Sequence, residues 1–310
     1  DTERSLLHIA CEYGSLDMIK WLVECGLLPC DIDKDGHTPL YYCCSSKGNH
    51  IEKLKYLCLN GGDLRIDQGE TLLHIACSAS PLETVKYLYS QDLDVNSTTL
   101  TGETPLHCCS INPVDPLGIL KYLVSVSVDV EAVNFFNVGV LHSFSQWGNL
   151  ACVQFLVQNG LNVNSKDDNG RTPLHYTCES KVQAFEKLKY LEDNGGDLYD
   201  KDIHQRSLLH VACGSQNLEF VEYLLSRKLR INDIDFWHQN TLSYCCKSEV
   251  FQMEILEHLI RKGGNIMDTD DQAETLLHFT CRWCQLDLVK YFVGEGLSVN
   301  YENNFGFTPL

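Results

Sequence analysis

Apolar residues recur along this chain at three-to-four spacing, in short stripes that stop and restart at regular intervals. Leu16, Ile19, Leu22 and Val23 form one stripe, and Leu218, Val221, Leu224 and Leu225 form another. Each predicts a short helix with a single apolar face. Ahead of every stripe stands a second apolar segment: SLLHIAC, TPLYYCC, TLLHIAC, TPLHCCS, GVLHSFS, TPLHYTC, SLLHVAC, TLSYCCK and TLLHFTC, then a final TPL. Ser or Thr at the first position suits a helix N-cap. Pro39, Pro105, Pro173 and Pro309 follow directly, where a missing N–H and a fixed φ fit the first turn. Glycine ends the second helix, at Gly26, Gly160 and Gly296 or at Gly61-Gly62, Gly195-Gly196 and Gly263-Gly264, as a left-handed C-terminal cap requires.

The opening residues are Ser5, Thr38, Thr71, Thr104, Gly139, Thr172, Ser207, Thr241, Thr275 and Thr308, separated by 33, 33, 33, 35, 33, 35, 34, 34 and 33 residues. So regular a period takes precedence over every other motif. Two short helices cannot bury their own stripe, whereas stacked neighbours share one core. From the opening residue, Lys20, Lys86, Gln154, Glu222 and Lys290 lie 15 residues on, but Lys55, Lys121 and Lys189 lie 17 on and Glu257 lies 16 on. Even units therefore carry longer loops between their helices, around Lys47–Asn49, Pro113–Asp115, Val182–Ala184 and Val250–Gln252. Units two and six share EKLKYL and NGGDL, so the building block is a pair of repeats.

The T-P-L-H opening, the period and the glycine stops resemble the ankyrin repeat over essentially the whole chain. The resemblance implies an all-α solenoid of antiparallel helix pairs with β-hairpin fingers. Its expected repeats are 2–34, 35–67, 68–100, 101–135, 136–168, 169–203, 204–237, 238–271 and 272–304, with a partial tenth at 305–310. They form a single domain over 1–310. Asn137-Val138-Gly139-Val140 departs most from the pattern. A chain that opens inside a finger and stops as a helix begins, without polar capping repeats, is expected to be a piece of a longer protein.

Composition removes several function classes. Apolar residues make up 44% of the chain, and 24 Lys and Arg face 42 Asp and Glu, a net charge of −18. Nucleic-acid binding needs a basic face, so none is expected. No apolar run is long enough to insert in a membrane. His8, His74, His107, His142, His175, His210 and His278 share one slot, which argues for a structural role, because a catalyst needs one differentiated histidine. The resemblance puts these histidines in hydrogen bonds at the finger base. Most of the 16 cysteines fall in buried helix-one slots, where a thiol acts as a small hydrophobe, and same-slot cysteines stand too far apart to bridge. Reduced thiols imply a cytoplasmic or nuclear setting. Cys281-Arg282-Trp283-Cys284 lacks the second pair that zinc needs. The calcium-loop-like Asp31–Gly36 has Tyr42 where a bidentate Glu belongs. No enzyme, cofactor or metal site is expected.

The resemblance places partner recognition on the finger tips and the exposed part of helix one, along a concave groove. Phe135, Phe136, Phe236, Trp237, Phe305 and Phe307 fall on fingers, and Tyr13, Trp147 and Trp283 at helix-one ends; Trp21, on the helix-two stripe, is expected in the core. The fingers carry Asp33, Asp35, Asp67, Glu70, Glu103, Asp167, Asp168, Asp202, Asp235, Asp270, Asp271 and Glu274. Expected partner-binding residues are Tyr13, Phe135, Phe136, Trp147, Phe236, Trp237, Trp283, Asp35, Glu70, Glu103 and Asp168. They suit a protein segment combining Lys or Arg with an apolar anchor. The rival reading is a targeting or regulatory module of a larger enzyme, channel or effector. Self-association is left open.

Overall fold

The computed structural model describes residues 3–45, 51–64, 69–215, 217–247, 253–283 and 285–309. The expected loop excursions at Lys47–Asn49 and Val250–Gln252, together with Asp67 and Cys284, lie outside these. Two compact units divide the chain, Asp1–Leu161 and Asn162–Leu310. The first holds α1 (Leu6–Tyr13), α2 (Leu16–Glu24), α3 (Pro39–Ser45), α4 (Ile51–Leu59), α5 (Leu72–Ala79), α6 (Leu82–Tyr89), α7 (Pro105–Cys108, continued by a 3-10 turn, Cys109–Ile111), α8 (Pro116–Ser125), α9 (Val140–Trp147) and α10 (Leu150–Gln158). The second holds α11 (Pro173–Cys178), α12 (Ala184–Asp193), α13 (Leu208–Gly214), α14 (Leu218–Ser226), α15 (Thr241–Cys246), α16 (Met253–Arg261), α17 (Leu276–Arg282) and α18 (Leu286–Gly294).

Each unit is a stack of helix pairs. First helices pack on first helices, as α1 on α3 and α3 on α5, and each touches its own second helix. The leucine of every TPL-type segment is the shared anchor: Leu7, Leu40, Leu73, Leu106, Leu141, Leu174, Leu209, Leu242 and Leu277 are all buried. Burying such a side chain stabilises by about 1.5–3 kcal/mol.

The eighth repeat begins one residue earlier than its Thr suggests. Asn240 is the N-cap of α15, its side chain accepting from the Ser243 N–H, and Thr241 takes the first helical position. TLSYCC thus aligns on PLYYCC of the second repeat. With Asn240 as the start, the last four steps are 35 (Thr172 to Ser207), 33 (to Asn240), 35 (to Thr275) and 33 (to Thr308) residues. Glu257 then also lies 17 residues on, and the alternation of the paired repeats becomes uniform.

Histidine ties the repeats together. In seven repeats the cap's own backbone N–H donates to Nδ1 of the histidine three residues on, at 3.0–3.2 Å. Nδ1 is therefore unprotonated and Nε2 carries the hydrogen. Nε2 of His8, His74, His107 and His278 donates to the carbonyls of His37, Glu103, Val138 and Phe307 at 3.0–3.2 Å, in the finger leading to the next repeat. His175 and His210 face the carbonyls of Arg206 and Gln239 without closing a well-formed bond.

Side chains also cap the ends of helix one from the following repeat. The Cys11 carbonyl accepts from Lys53 Nζ (3.3 Å), that of Cys44 from Ser80 Oγ (2.6 Å) and that of Cys77 from Asn112 Nδ2 (2.9 Å). Cations and polar donors are favoured at such carbonyl-rich ends. Lys53 and Lys187, the first lysines of the two EKLKYL segments, are buried, and Lys187 donates to Ser180 Oγ at 2.8 Å.

The fingers are turns held by side chains, not strand ladders. Among the described residues the only β pairing is two isolated bridges, Val133 with Gly139 and Lys201 with Ser207. Oδ1 of Asp33, Asn134, Asp167, Asp202, Asp235, Asp270 and Asn303 accepts the N–H groups two and four residues on. That leaves few main-chain donors for a ladder. The third residue after this acid or amide has positive φ, as at Gly36, Gly170 and Gly306 (and at Gly102 after Thr99), but Asn137, Gln205, His238 and Ala273 occupy the same slot. A Cβ is strained there. Ala273→Gly, which removes it at φ +59°, is expected to stabilise the protein by about 0.5–1 kcal/mol, read from urea unfolding; an unchanged or lower midpoint refutes the strain.

Candidate partner-binding surface

Six of the twelve finger acids serve the fold. Asp33, Asp167, Asp202, Asp235, Asp270 and Glu274 are buried, and the five aspartates take the finger N–H groups. Asp33 and Asp167 also accept from the hydroxyls of Tyr42 and Tyr176. Burial alone raises the Asp33 pKa, but the bonds from Tyr42, His37 and Asp35 outweigh it and hold the carboxylate below its ordinary range. Asp33, Asp35 and His37 bring possible ligand atoms within 4.8 Å of one another. The same spacing recurs in fingers without those side chains, so the turn accounts for it.

Asp35 and Asp168 are exposed, whereas Glu70 and Glu103 are half-buried. These two glutamates occupy the slot just before the cap. In other repeats that residue is paired with the one eight positions on: Arg4 with Glu12 (3.1 Å), Arg171 with Glu179 (2.6 Å), Glu274 with Arg282 and Gln239 with Lys247. Opposite Glu70 and Glu103 stand Ser78 and Ile111 instead. Neither glutamate has a cation partner among the described residues. Burial pushes the Glu70 pKa up; His37 opposes it in part, and the nearby Glu103 charge adds a smaller upward push. Burial followed by these two carboxylates lifts Cys108 to about 12, and Tyr41 is raised by burial and then Glu70. The first unit thus holds two neighbouring carboxylates with no lysine or arginine partner among the described residues.

The aromatic candidates divide between the units. In the first, Tyr13, Phe136 and Trp147 are exposed, while the Phe135 ring lies over Gly102 of the preceding finger, where a Cβ would come within 2.6 Å. The Phe135 N–H also donates to the Thr101 carbonyl at 3.0 Å. In the second, Trp237 packs on His204 of the preceding finger (centroids 4.9 Å apart) and meets Phe236 edge-on at 5.9 Å. Trp237 remains 37% exposed and Phe236 67%. Trp283, Phe305 and Phe307 are exposed. Packing and exposure therefore coexist at Phe135 and Trp237.

Trp21 is not in the core; it is 62% exposed. Its slot on helix two holds an aromatic ring in most repeats, including Tyr87, Tyr122, Phe155 and Tyr223, and there the rings are half-buried. The lysine just before this slot in the preceding repeat covers each ring: Lys55 over Tyr87, Lys86 over Tyr122, Lys121 over Phe155 and Lys189 over Tyr223, at 5.7–6.0 Å. The recurring Lys-aromatic-Leu triplet was the sequence signal for this ladder.

The cysteines sit as small core side chains. Cys11, Cys43, Cys44, Cys77, Cys109, Cys178, Cys213, Cys245 and Cys246 are buried. Thiols in different slots of adjacent repeats do meet, Cys11 with Cys43 and Cys213 with Cys245. Burial pushes the Cys44, Cys77 and Cys246 thiols far up, which leaves them unreactive.

A family profile described as "Ankyrin repeats (3 copies)" matches residues 1–68, 47–134, 117–202 and 141–235. The chain belongs to the ankyrin-repeat family. It is 33% identical over 177 residues to the probable 26S proteasome regulatory subunit p28 of Saccharomyces cerevisiae, covering 55% of this chain and 77% of that protein. It is 28% identical over 174 residues to a mouse B-cell lymphoma 3 protein homolog, covering 54% of this chain and 38% of that protein. It is also 24% identical over 335 residues to the human transient receptor potential cation channel subfamily A member 1, covering 99% of this chain but only 28% of the channel. Ankyrin repeats are protein-interaction modules, and the family is in general non-catalytic. No helix among the described residues is long and apolar enough to cross a membrane.

Proposed function

We propose that this ankyrin-repeat chain is a non-catalytic scaffold that holds a partner protein segment carrying Lys or Arg beside an apolar anchor. The observation that carries this reading is the Glu70–Glu103 pair. Its carboxylates lack the internal cation found at the same slot elsewhere, and burial raises Glu70. A cation delivered by a partner relieves both effects. Tyr13, Phe135, Phe136 and Trp147 offer apolar contacts in the same unit. In the other unit Asp168, Phe236, Trp237 and Trp283 supply a comparable mixture of charge and rings. Buried, high-pKa thiols fit a reducing cytoplasmic or nuclear setting.

A second reading, a regulatory or targeting module within a larger channel or enzyme, is favoured by the short share of the channel that the chain covers. Both readings use the same surface.

Affinity capture followed by cross-linking mass spectrometry tests the surface. Glu70→Lys combined with Glu103→Lys is expected to weaken the captured complex by about tenfold or more, because like charges replace complementary ones. Trp147→Ala and Trp237→Ala are expected to reduce recovery in the same assay. Unchanged recovery for all of these sinks the proposed surface. Since Glu70 is raised when free and a bound cation lowers it, affinity should decline as pH falls through the mildly acidic range; a flat profile for the wild type contradicts the role of Glu70.

A further inference from the structure

The loop after α14 reverses the charge pattern of the chain. Two positions after the helix-two stop stand Asp63, Asp94, Asp129, Asn162, Asp197, Asn265 or Ser298 in seven other repeats, and an uncharged Leu28 in the first. In most of these the side chain accepts the N–H two residues further along, as Asp94 from Asn96, Asp129 from Glu131, Asp197 from Tyr199 and Asn265 from Met267, at 2.8–3.0 Å. Repeat seven places Arg230 there. An arginine has no acceptor, so this turn forgoes the bond that its counterparts make. A local rule broken without structural gain is the mark of a functional position.

Two adjoining cavities lie against this loop. One, of about 540 Å³, is lined by Leu225, Leu229, Arg230, Ile231, Lys262 and Asp233, with Asn232 and Gly263. The other, of about 310 Å³, includes Tyr199, Lys201, Lys228 and the same Leu229, Arg230 and Asp233. Asp233 is already paired with Lys201 at 3.1 Å. Lys228, Arg230 and Lys262 are exposed and form no ion pair among the described residues. Leu225, Leu229 and Ile231 therefore share the larger cavity with the unpaired Arg230 and Lys262, and Lys228 lines the adjoining one, in a chain of net charge −18.

We infer that this is a second docking site, of opposite polarity to the acidic surface, for an acidic segment of a partner protein with one apolar side chain between carboxylates. The apolar side chain enters the larger cavity and the carboxylates meet Arg230, Lys262 and Lys228. A cavity of this size accommodates a side chain and its flanks, and the charges steer and orient the segment.

Fluorescence anisotropy with the full chain tests it, using a labelled peptide in which glutamates flank a single leucine. Arg230→Asp and Lys262→Asn restore residue types found in the corresponding slots of other repeats, so both variants are expected to keep the wild-type melting temperature. Each is expected to weaken peptide binding by roughly tenfold or more, and added salt should weaken it further. Replacing the peptide's leucine by glycine should weaken binding comparably. No measurable binding to the wild type, or equal binding to Arg230→Asp, overturns the site. Equal binding of the glycine peptide, or full competition by tripolyphosphate, reduces it to a general anion site and refutes the apolar pocket. Sedimentation showing that the loop variants abolish self-association instead assigns it to a second copy of the chain and refutes the acidic partner.

Discussion

Asp167→Ala is expected to destabilise the second unit by about 3 kcal/mol, whereas Asp167→Asn should cost less than about 1 kcal/mol. Asp167 is buried, and its carboxylate accepts the Asn169 N–H (3.0 Å), the Arg171 N–H (2.7 Å) and the Tyr176 hydroxyl (2.8 Å). Alanine leaves all three donors without this acceptor, and orphaned buried donors are each expensive. Asparagine keeps the oxygen that serves the two N–H groups, as Asn134 and Asn303 do in their own fingers. Urea unfolding followed by circular dichroism separates the two outcomes. If alanine and asparagine prove equally harmful, the finger is not held by the side-chain oxygen.

Acid is expected to unfold this protein well above the pH at which carboxylates titrate. Burial, the largest influence, lowers His107 and His175 from 6.5 to about 4, and His74 and His210 are lowered by the same cause. Between those limits the unfolded chain binds protons that the folded chain refuses. Stability is therefore fully present above about pH 6.5 and is lost as pH falls toward 4. By pH 4 the two strongest cases remove roughly 3 kcal/mol each. The hydrogen-bond pattern gives the mechanism: Nδ1 accepts the cap's N–H, and protonating it breaks the link at the helix start. Thermal melts at several pH values should show the slope, and His107→Gln should flatten part of it. A wild-type melting temperature constant from pH 7 to 5 argues against the buried neutral histidines.

Much of the fold was legible because its signals are local. The TPL-type segments marked first helices through cap chemistry and helical spacing, and their leucines proved to be the buried anchors. The glycine stops marked left-handed positions, which Asp92, Ser127 and Lys228 fill in three repeats. The one misplaced start, Thr241 for Asn240, arose because asparagine and threonine are both good caps and the histidine three residues on is replaced by Ser243. The candidate surface was less legible. Burial separates the exposed Asp35 and Asp168 from the buried Asp33 and Asp167, a distinction that depends on packing between fingers.

The sequence by itself determined the repeat, its pairing into double units, the helix-pair architecture and the structural nature of the shared histidines. Cap preference, backbone φ and helical periodicity act over a few residues, so they can be read along the chain. The tertiary structure alone decided which charges are free. It turned Lys53 and Lys187 inward, left Trp21 exposed, fixed the histidine tautomer, and left Glu70, Glu103 and Arg230 without ion partners among the described residues. Each of those outcomes depends on what a neighbouring repeat, a full period away in sequence, brings beside the side chain.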